Sequence, residues 1–309
     1  MDHYEELEQA YNIQHGDLLE GIIDMHLHVA PSLMARKCDV ADLVLRCEQF
    51  GYKAVVYKDH HMMTGPACTI VNDHVNKGGR CKAVGAVCLN NTNGGLNPYS
   101  VLAAISAGCH VVWLPTVSAQ NHINAVLKGT SFPKLANGVV IREEAVRLVD
   151  EAGAVRKEII EILEIVKEHP DVVLATGHGD CHEINTVVEQ ACKMGMQKQI
   201  MVDHPDFMLC TPDDLLKHWV ELGVWIEWCG TMYCEISRHH SWTYEQMAAN
   251  IRASGVKQTI ISTDFGQKDN VDPVKGLDNV LDGLLRQGFT KEELRLMTSA
   301  NPASVLGLA

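Results

Sequence analysis

The sequence predicts an α/β chain folded as a (β/α)8 TIM barrel, and three observations predict it. Eight short β-rich runs, at 22–28, 54–58, 83–89, 111–116, 172–177, 199–203, 224–228 and 259–264, alternate with longer helical patterns. Many of these runs are continuously apolar, as expected of parallel strands covered on both faces. Polar residues recur at the C-terminal ends of several runs, where a barrel would bring them to one face. A doubly wound open sheet would gather its polar residues around one switch point and carry a Gly-rich turn after its first strand, and neither pattern is present. The 309 residues suit one such barrel. Residues 21–309 are therefore read as a single domain and 1–20 as an N-terminal extension.

Helical patterns fill the intervals at 40–50, 100–107, 155–168, 184–194, 213–222 and 243–253. Gly51, Gly108, Gly195, Gly223 and Gly255 each stand between a helical pattern and the next strand, a C-cap signal. Thr211 followed by Pro212 reads as an N-cap with proline in the first turn. The long link at 118–153, between strands four and five, is an insertion. It is read either as a hairpin or lid over the barrel mouth or as a plain surface excursion.

Composition narrows the function classes. Hydrophobic residues make up 46% and charged residues 21%, ordinary for a soluble globular chain. A net charge of −13 argues against nucleic acid or an anionic membrane as partner, although a local basic pocket can still hold a small anion. The acidic N-terminus lacks the basic and apolar regions of a signal peptide. No apolar run reaches the roughly 18 residues of a membrane span. The 11 cysteines are scattered and include no Cys-x-x-Cys pair, which points to reduced thiols and a cytoplasmic protein. The expected partner is a small-molecule substrate; association into a homo-oligomer is left open.

The strand ends carry the chemistry. In Asp24-Met25-His26-Leu27-His28, strand alternation puts Asp24, His26 and His28 on one face, and paired imidazoles are half of a metal site. Strand two ends in Lys58-Asp59-His60-His61, strand five in Thr176-Gly177-His178, strand six in Asp203-His204 and strand eight in Ser262-Thr263-Asp264. A lone strand-end His is usually structural, but strands one, five, six and eight delivering four His and Asp264 to one rim predict a divalent ion, Zn first, with Mn or Fe also suitable. Such an ion lowers the pKa of its water from about 16 to about 7. Asp264 would then collect the proton and return it to the leaving group. Hydrolysis of an amide, cyclic amide or lactone suits these parts.

Other residues carry alternatives. Lys58 is read as a carboxylated metal bridge, a cationic oxyanion stabiliser, or an ion-pair partner of Asp59 or Glu227. Arg36 is either a fork that clamps a carboxylate or a solvated loop residue beside Lys37. His60, His61 and Glu227 are counted toward the substrate, Glu227 requiring a partner if it faces inward. Arg238, His239 and His240 are read as rim contacts or a solvated loop. Asp203 and Asp180 are expected to orient neighbouring histidines.

In that order, Asp24-x-His26-x-His28, His178, His204 and Ser262-Thr263-Asp264 resemble the amidohydrolase superfamily, and Asn301-Pro302-Ala303-Ser304-Val305-Leu306 is similar to the last helix of many members. His28-Val29-Ala30-Pro31-Ser32, Lys58-Asp59-His60-His61 and Asp264-Phe265-Gly266-Gln267 resemble, more narrowly, a poorly characterised amidohydrolase-like family. The resemblance implies His26, His28 and His178 as metal ligands, and Asp264 as a carboxylate that touches the metal and accepts a proton. It implies His204 as the ligand of a second metal or the group that positions water or substrate. Binuclear members carry a bridging carboxylated Lys, or a Glu, on strand three or four. Strand four here ends Val112-Trp113-Leu114-Pro115-Thr116, leaving Lys58 as the comparable residue and the metal count at one or two. The leading reading is a metal-dependent hydrolase. A metal-dependent non-oxidative decarboxylase on the same barrel is the alternative. A non-catalytic metal-binding module is disfavoured by the presence of Asp264.

Overall fold

The computed structural model describes residues 2–130 and 135–308. Its eight strands form one parallel sheet in the order β1 to β8: β1 (Ile23–Leu27), β2 (Ala54–Tyr57), β3 (Lys82–Cys88), β4 (Cys109–Trp113), β5 (Val173–Ala175), β6 (Ile200–Asp203), β7 (Trp225–Cys229) and β8 (Thr259–Ser262). All eight match the sequence expectation to within a few residues. The last strand meets the first through His28 N to Phe265 O (2.8 Å) and Asp264 N to His26 O (2.8 Å), which closes the barrel. Ile23, Met25, Val56, Val111, Trp113 and Met201 are among the side chains filling the lumen. Ala303, Val305 and Leu306 join them at the end away from the site, where Asn301 Nδ2 holds the Thr259 carbonyl at 2.7 Å.

The helices, in chain order, are α1 (His3–Ala10), α2 (Gly16–Leu19), α3 (Val40–Gln49), α4 (Gly65–Ile70), α5 (Pro98–Ser106), α6 (Gln120–Leu127), α7 (Lys157–Lys167), α8 (Cys181–Lys193), α9 (Asp213–Leu222), α10 (Tyr244–Ser254), α11 (Pro273–Arg286), α12 (Lys291–Arg295) and α13 (Asn301–Val305). Gly51, Gly108, Gly195 and Gly223 all take positive φ where a helix turns into the next strand. In the N-terminal segment α2 buries Leu18 and Leu19, and Asp278 of α11 accepts from Tyr11 Oη, Gln14 N and His15 N at 2.7–2.8 Å. No helix among the described residues is long and apolar enough to cross a membrane. All 11 cysteines are free thiols.

Three local readings need correction. Pro212, not Thr211, is the N-cap of α9, because its ψ of 147° keeps it extended and outside the helix. Strict alternation fails in β1. The register shifts between Asp24 and Leu27: Ile23 and Met25 face the lumen but Leu27 packs in the outer core, so Asp24, turned away from the lumen, does not share a face with His26. The link at 118–153 opens with a regular helix, α6, which its Asn-rich sequence hides. The rest of its described residues are irregular, tied by single bridges between Met34 and Leu135, Ala119 and Val146, and Val149 and Val155. Its residues 131–134 lie outside the described residues.

Gly266 sits in the turn that leaves the seam between β8 and β1. Its φ is +114°, and a Cβ there would stand 1.6 Å from the His28 carbonyl oxygen. Gly266→Ala must therefore either open the seam or twist the turn, at a cost of about 2 kcal/mol or more. Urea unfolding should show a lowered midpoint, and an unchanged midpoint would refute the account of the seam.

Candidate metal centre

The seam assembles the first half of the centre. Asp24, buried between β1 and β8, accepts from His26 N (3.2 Å), Thr263 N (3.1 Å) and Thr263 Oγ1 (2.7 Å). This fixes the ends of both strands relative to each other. As a result, Asp264 Oδ1 lies 3.0 Å from His28 Nε2 and 3.5 Å from His26 Nε2. Behind the rings, Glu227 Oε2 meets His26 Nδ1 at 3.0 Å and the Lys58 carbonyl meets His28 Nδ1 at 3.0 Å. Each partner favours the tautomer protonated at Nδ1, leaving Nε2 as a lone pair.

A second set stands beside it. His178, Asp203 and His204 bring one ligand atom each to within 4.8 Å of one another, as do His26, His28 and Asp264. Asp203 is fixed through Oδ1, which accepts from Thr176 Oγ1 (3.1 Å) and Gly177 N (2.8 Å). Its Oδ2 has no hydrogen-bond partner among the described residues. That atom lies 3.5 Å from His204 Nε2 and 3.9 Å from Lys58 Nζ. Lys58 is wholly buried, with Nζ 3.0 Å from His26 Nε2 and 4.7 Å above the Trp113 ring, between the two sets. Its carboxylate neighbour is thus Asp203; the expected pairing with Asp59 or Glu227 is not made. Both His204 (φ 31°) and Asp264 (φ 54°) hold left-handed backbone, a strain typical of functional positions.

These residues floor a cavity of about 380 Å³. Arg36, His60, Arg238 and His239 line its walls, so Arg36 is not a solvated loop residue. His60 is held by Thr116 Oγ1 at 2.9 Å. His61 turns instead into a neighbouring apolar cavity under the 118–153 segment. Glu227, expected near substrate, lies wholly buried behind His26. Asp180 does not orient a histidine; it caps α8 in a capping box with Glu183. Sequence reading passed over His122 of α6, whose Nδ1 lies 2.9 Å from His178 Nδ1. It stands within the presumed insertion, where nothing in the local pattern distinguishes it from a surface residue.

Residues 21–227 match the family model of a family of unknown function (DUF6282), a span that includes β1 but ends before Asp264. No curated protein sequence matches the chain. Among solved structures, an amidohydrolase from Pseudomonas aeruginosa is similar at 13% identity and TM-score 0.53, covering 94% of this chain and 98% of that one. A β-aspartyl dipeptidase from Fervidobacterium islandicum AW-1 is similar at 12% identity and TM-score 0.57, covering 93% and 72%. A 5-methylcytosine deaminase from Klebsiella pneumoniae gives 13% and 0.53; the match covers 87% of this chain but only 62% of the deaminase. These likenesses establish a shared amidohydrolase-type barrel fold.

Burial sets the protonation of the centre. It holds the pKa of His26 down at about 3 and that of His122 at about 4, and it lowers His28, His60, His61 and His178 as well. It raises Asp24 and Glu227 to about 7 and Asp206 above the usual carboxylate range. For each lowered histidine the unfolded chain takes the proton first, so stability is lost as pH falls below about 6.5. Each raised carboxyl works in the opposite direction, because the folded state holds its proton. Six histidines outweigh three carboxyls, so the metal-free protein should melt at lower temperature at pH 5 than at pH 6.5. A melting temperature that rises on acidification would contradict this picture of the centre.

Proposed function

The chain belongs to family DUF6282, whose function is unknown, and from its site we propose a metal-dependent hydrolase that cleaves a C–N or C–O acyl bond of a small molecule. The observation that carries this reading is the convergence of His26, His28 and Asp264 on the floor of the cavity, beside His178, Asp203 and His204. The donor set fits a divalent ion. Two Nε2 lone pairs face a carboxylate oxygen, burial keeps the rings neutral, and the unpartnered Asp203 Oδ2 points into the second set. Imidazole with carboxylate suits Zn first, and Mn or Fe also. When bound, the ion supplies Lewis acidity and water of pKa near 7, rather than about 16.

The chain's own residues do the rest. Asp264, part exposed to the cavity, is placed to take a proton from the attacking water and hand it to the leaving nitrogen or oxygen. Glu227 is a positioning residue that holds the His26 ring. His204 orients substrate or water, and Arg36 and His60 contact the substrate from the wall. The place of Lys58 between the two donor sets supports its carboxylated form as a ligand shared by two ions. As an ammonium it would instead stabilise the developing oxyanion beside a single ion.

Purified protein should hold at least one equivalent of Zn, Mn or Fe. Full activity in a metal-free preparation would sink the mechanism. Asp264→Asn should retain most of the metal yet lower kcat by about 10²–10⁴, assayed on a panel of amides and lactones. Activity at the parental level would remove Asp264 from its role, whereas CO₂ release without water consumption would replace hydrolysis by decarboxylation. Lys58→Ala separates the metal counts: loaded with bicarbonate present, it should fall from two equivalents to one or none. Two ions retained would exclude Lys58 as the bridge.

A further inference from the structure

Resting on the hydrolase reading above, we propose that the substrate carries a carboxylate, and that Arg36 grips it beside the metal ligands. Arg36 lies on the loop between β1 and α3. Its backbone is bridged to Gln267, and its side chain is only 2% exposed, opening into the cavity. The guanidinium has few partners there. Nε donates to Ser32 Oγ at 3.1 Å. Nη2 approaches the Met34 sulfur at 3.7 Å and His28 Nδ1 at 3.5 Å, but that ring nitrogen already faces the Lys58 carbonyl.

Its counter-charge, Asp59, is near without being bonded. Asp59 Oδ1 is taken by His61 N (2.8 Å) and Met62 N (3.0 Å), and Oδ2 stands 3.9 Å from Nη2 without a hydrogen bond. The charge is thus balanced from behind while donors remain for a ligand. The other cations lining the cavity are engaged elsewhere. Lys58 faces His26 and Asp203, and Arg238 donates to Asp2 and to the Asp269 carbonyl. A buried planar fork with open N–H groups is the complement of a carboxylate, and a neutral substrate would leave those donors unpaired. Because Arg36 lines the same cavity as His26, His28 and Asp264, the carboxylate would sit near the acyl carbon. The cavity of about 380 Å³ limits the molecule to a small one. The substrate class is therefore a small amide or lactone that bears a carboxylate near its scissile bond.

The test is calorimetric titration of malonate, succinate and the neutral malonamide into the zinc-loaded full chain. At least one dicarboxylate should bind, and malonamide should bind more weakly by roughly tenfold or more. Arg36→Gln should weaken the dicarboxylate by a similar factor at unchanged zinc content. Arg36→Lys, which keeps the charge but not the fork, should fall between the two. Parental affinity in Arg36→Gln would put the anion on the metal alone and overturn the proposal, as would equal binding of malonamide or failure of both dicarboxylates. If Arg36→Gln does not fold, parental affinity in Arg36→Lys overturns it. A parent chain that takes up no zinc sinks the hydrolase reading instead. The same Arg36 comparison on metal-free protein then decides the carboxylate site separately.

Discussion

The Asp24 carboxylate at the seam between β1 and β8 is the constraint on which the centre depends. A barrel must close, and this one closes where its first and last strands are both short. Two backbone hydrogen bonds around the isolated Leu27–Phe265 bridge join them in place of a regular ladder, and Asp24 adds three more acceptor contacts to both strands. An unpaired carboxylate in that position would be costly to bury, and three donors offset the cost. The same contacts set where His26, His28 and Asp264 point. Closing the fold and assembling the centre are therefore one event, and the left-handed backbone at Asp264 is the strain that accompanies this joint occupancy, while Gly266 takes its positive φ without that cost.

Around the seam, the centre is organised by exclusion of water. Buried imidazoles lose their protons because the charged form is poorly solvated, which leaves them ready as ligands. Glu227 stands behind His26, Asp203 stands beside His204, and the Lys58 side chain lies between the two donor sets over the Trp113 ring. In a medium of low dielectric each of these interactions is stronger than at the surface.

Much of this was legible in the sequence. The eight strands announced themselves as apolar runs, and their polar ends could be collected because a parallel barrel sends every strand end to one face. What alternation could not reveal was the bulge in β1. One extra residue turned Asp24 from a supposed neighbour of the centre into its anchor at the seam. Glu227 was misread for a related reason: an inward residue on β7 can touch substrate or stand one layer below it, and only the depth along the barrel decides. Asp180 looked like a partner of His178 by adjacency, whereas Asp180 and Glu183 form a capping box that makes adjacency irrelevant. His122 was hidden because a contact between residues 122 and 178 depends on how an irregular segment folds back, which no local pattern encodes.

Arg36 is where the two parts of the molecule meet. The loop that bears it is tied to the β8 turn by Lys37 N to Gly266 O (2.9 Å) and by the Arg36–Gln267 bridge. It is tied to the segment between β4 and β5 by Ala136 N to Leu33 O (2.8 Å) and by the Met34–Leu135 bridge. Strand ends thus hold the residues suited to metal chemistry, while this loop carries the cation best placed to select a substrate. The loop is thus pinned on one side by the seam and on the other by the described part of the 118–153 segment. Changes in that segment should act on substrate choice through the setting of Arg36 and leave the donor set at the seam in place.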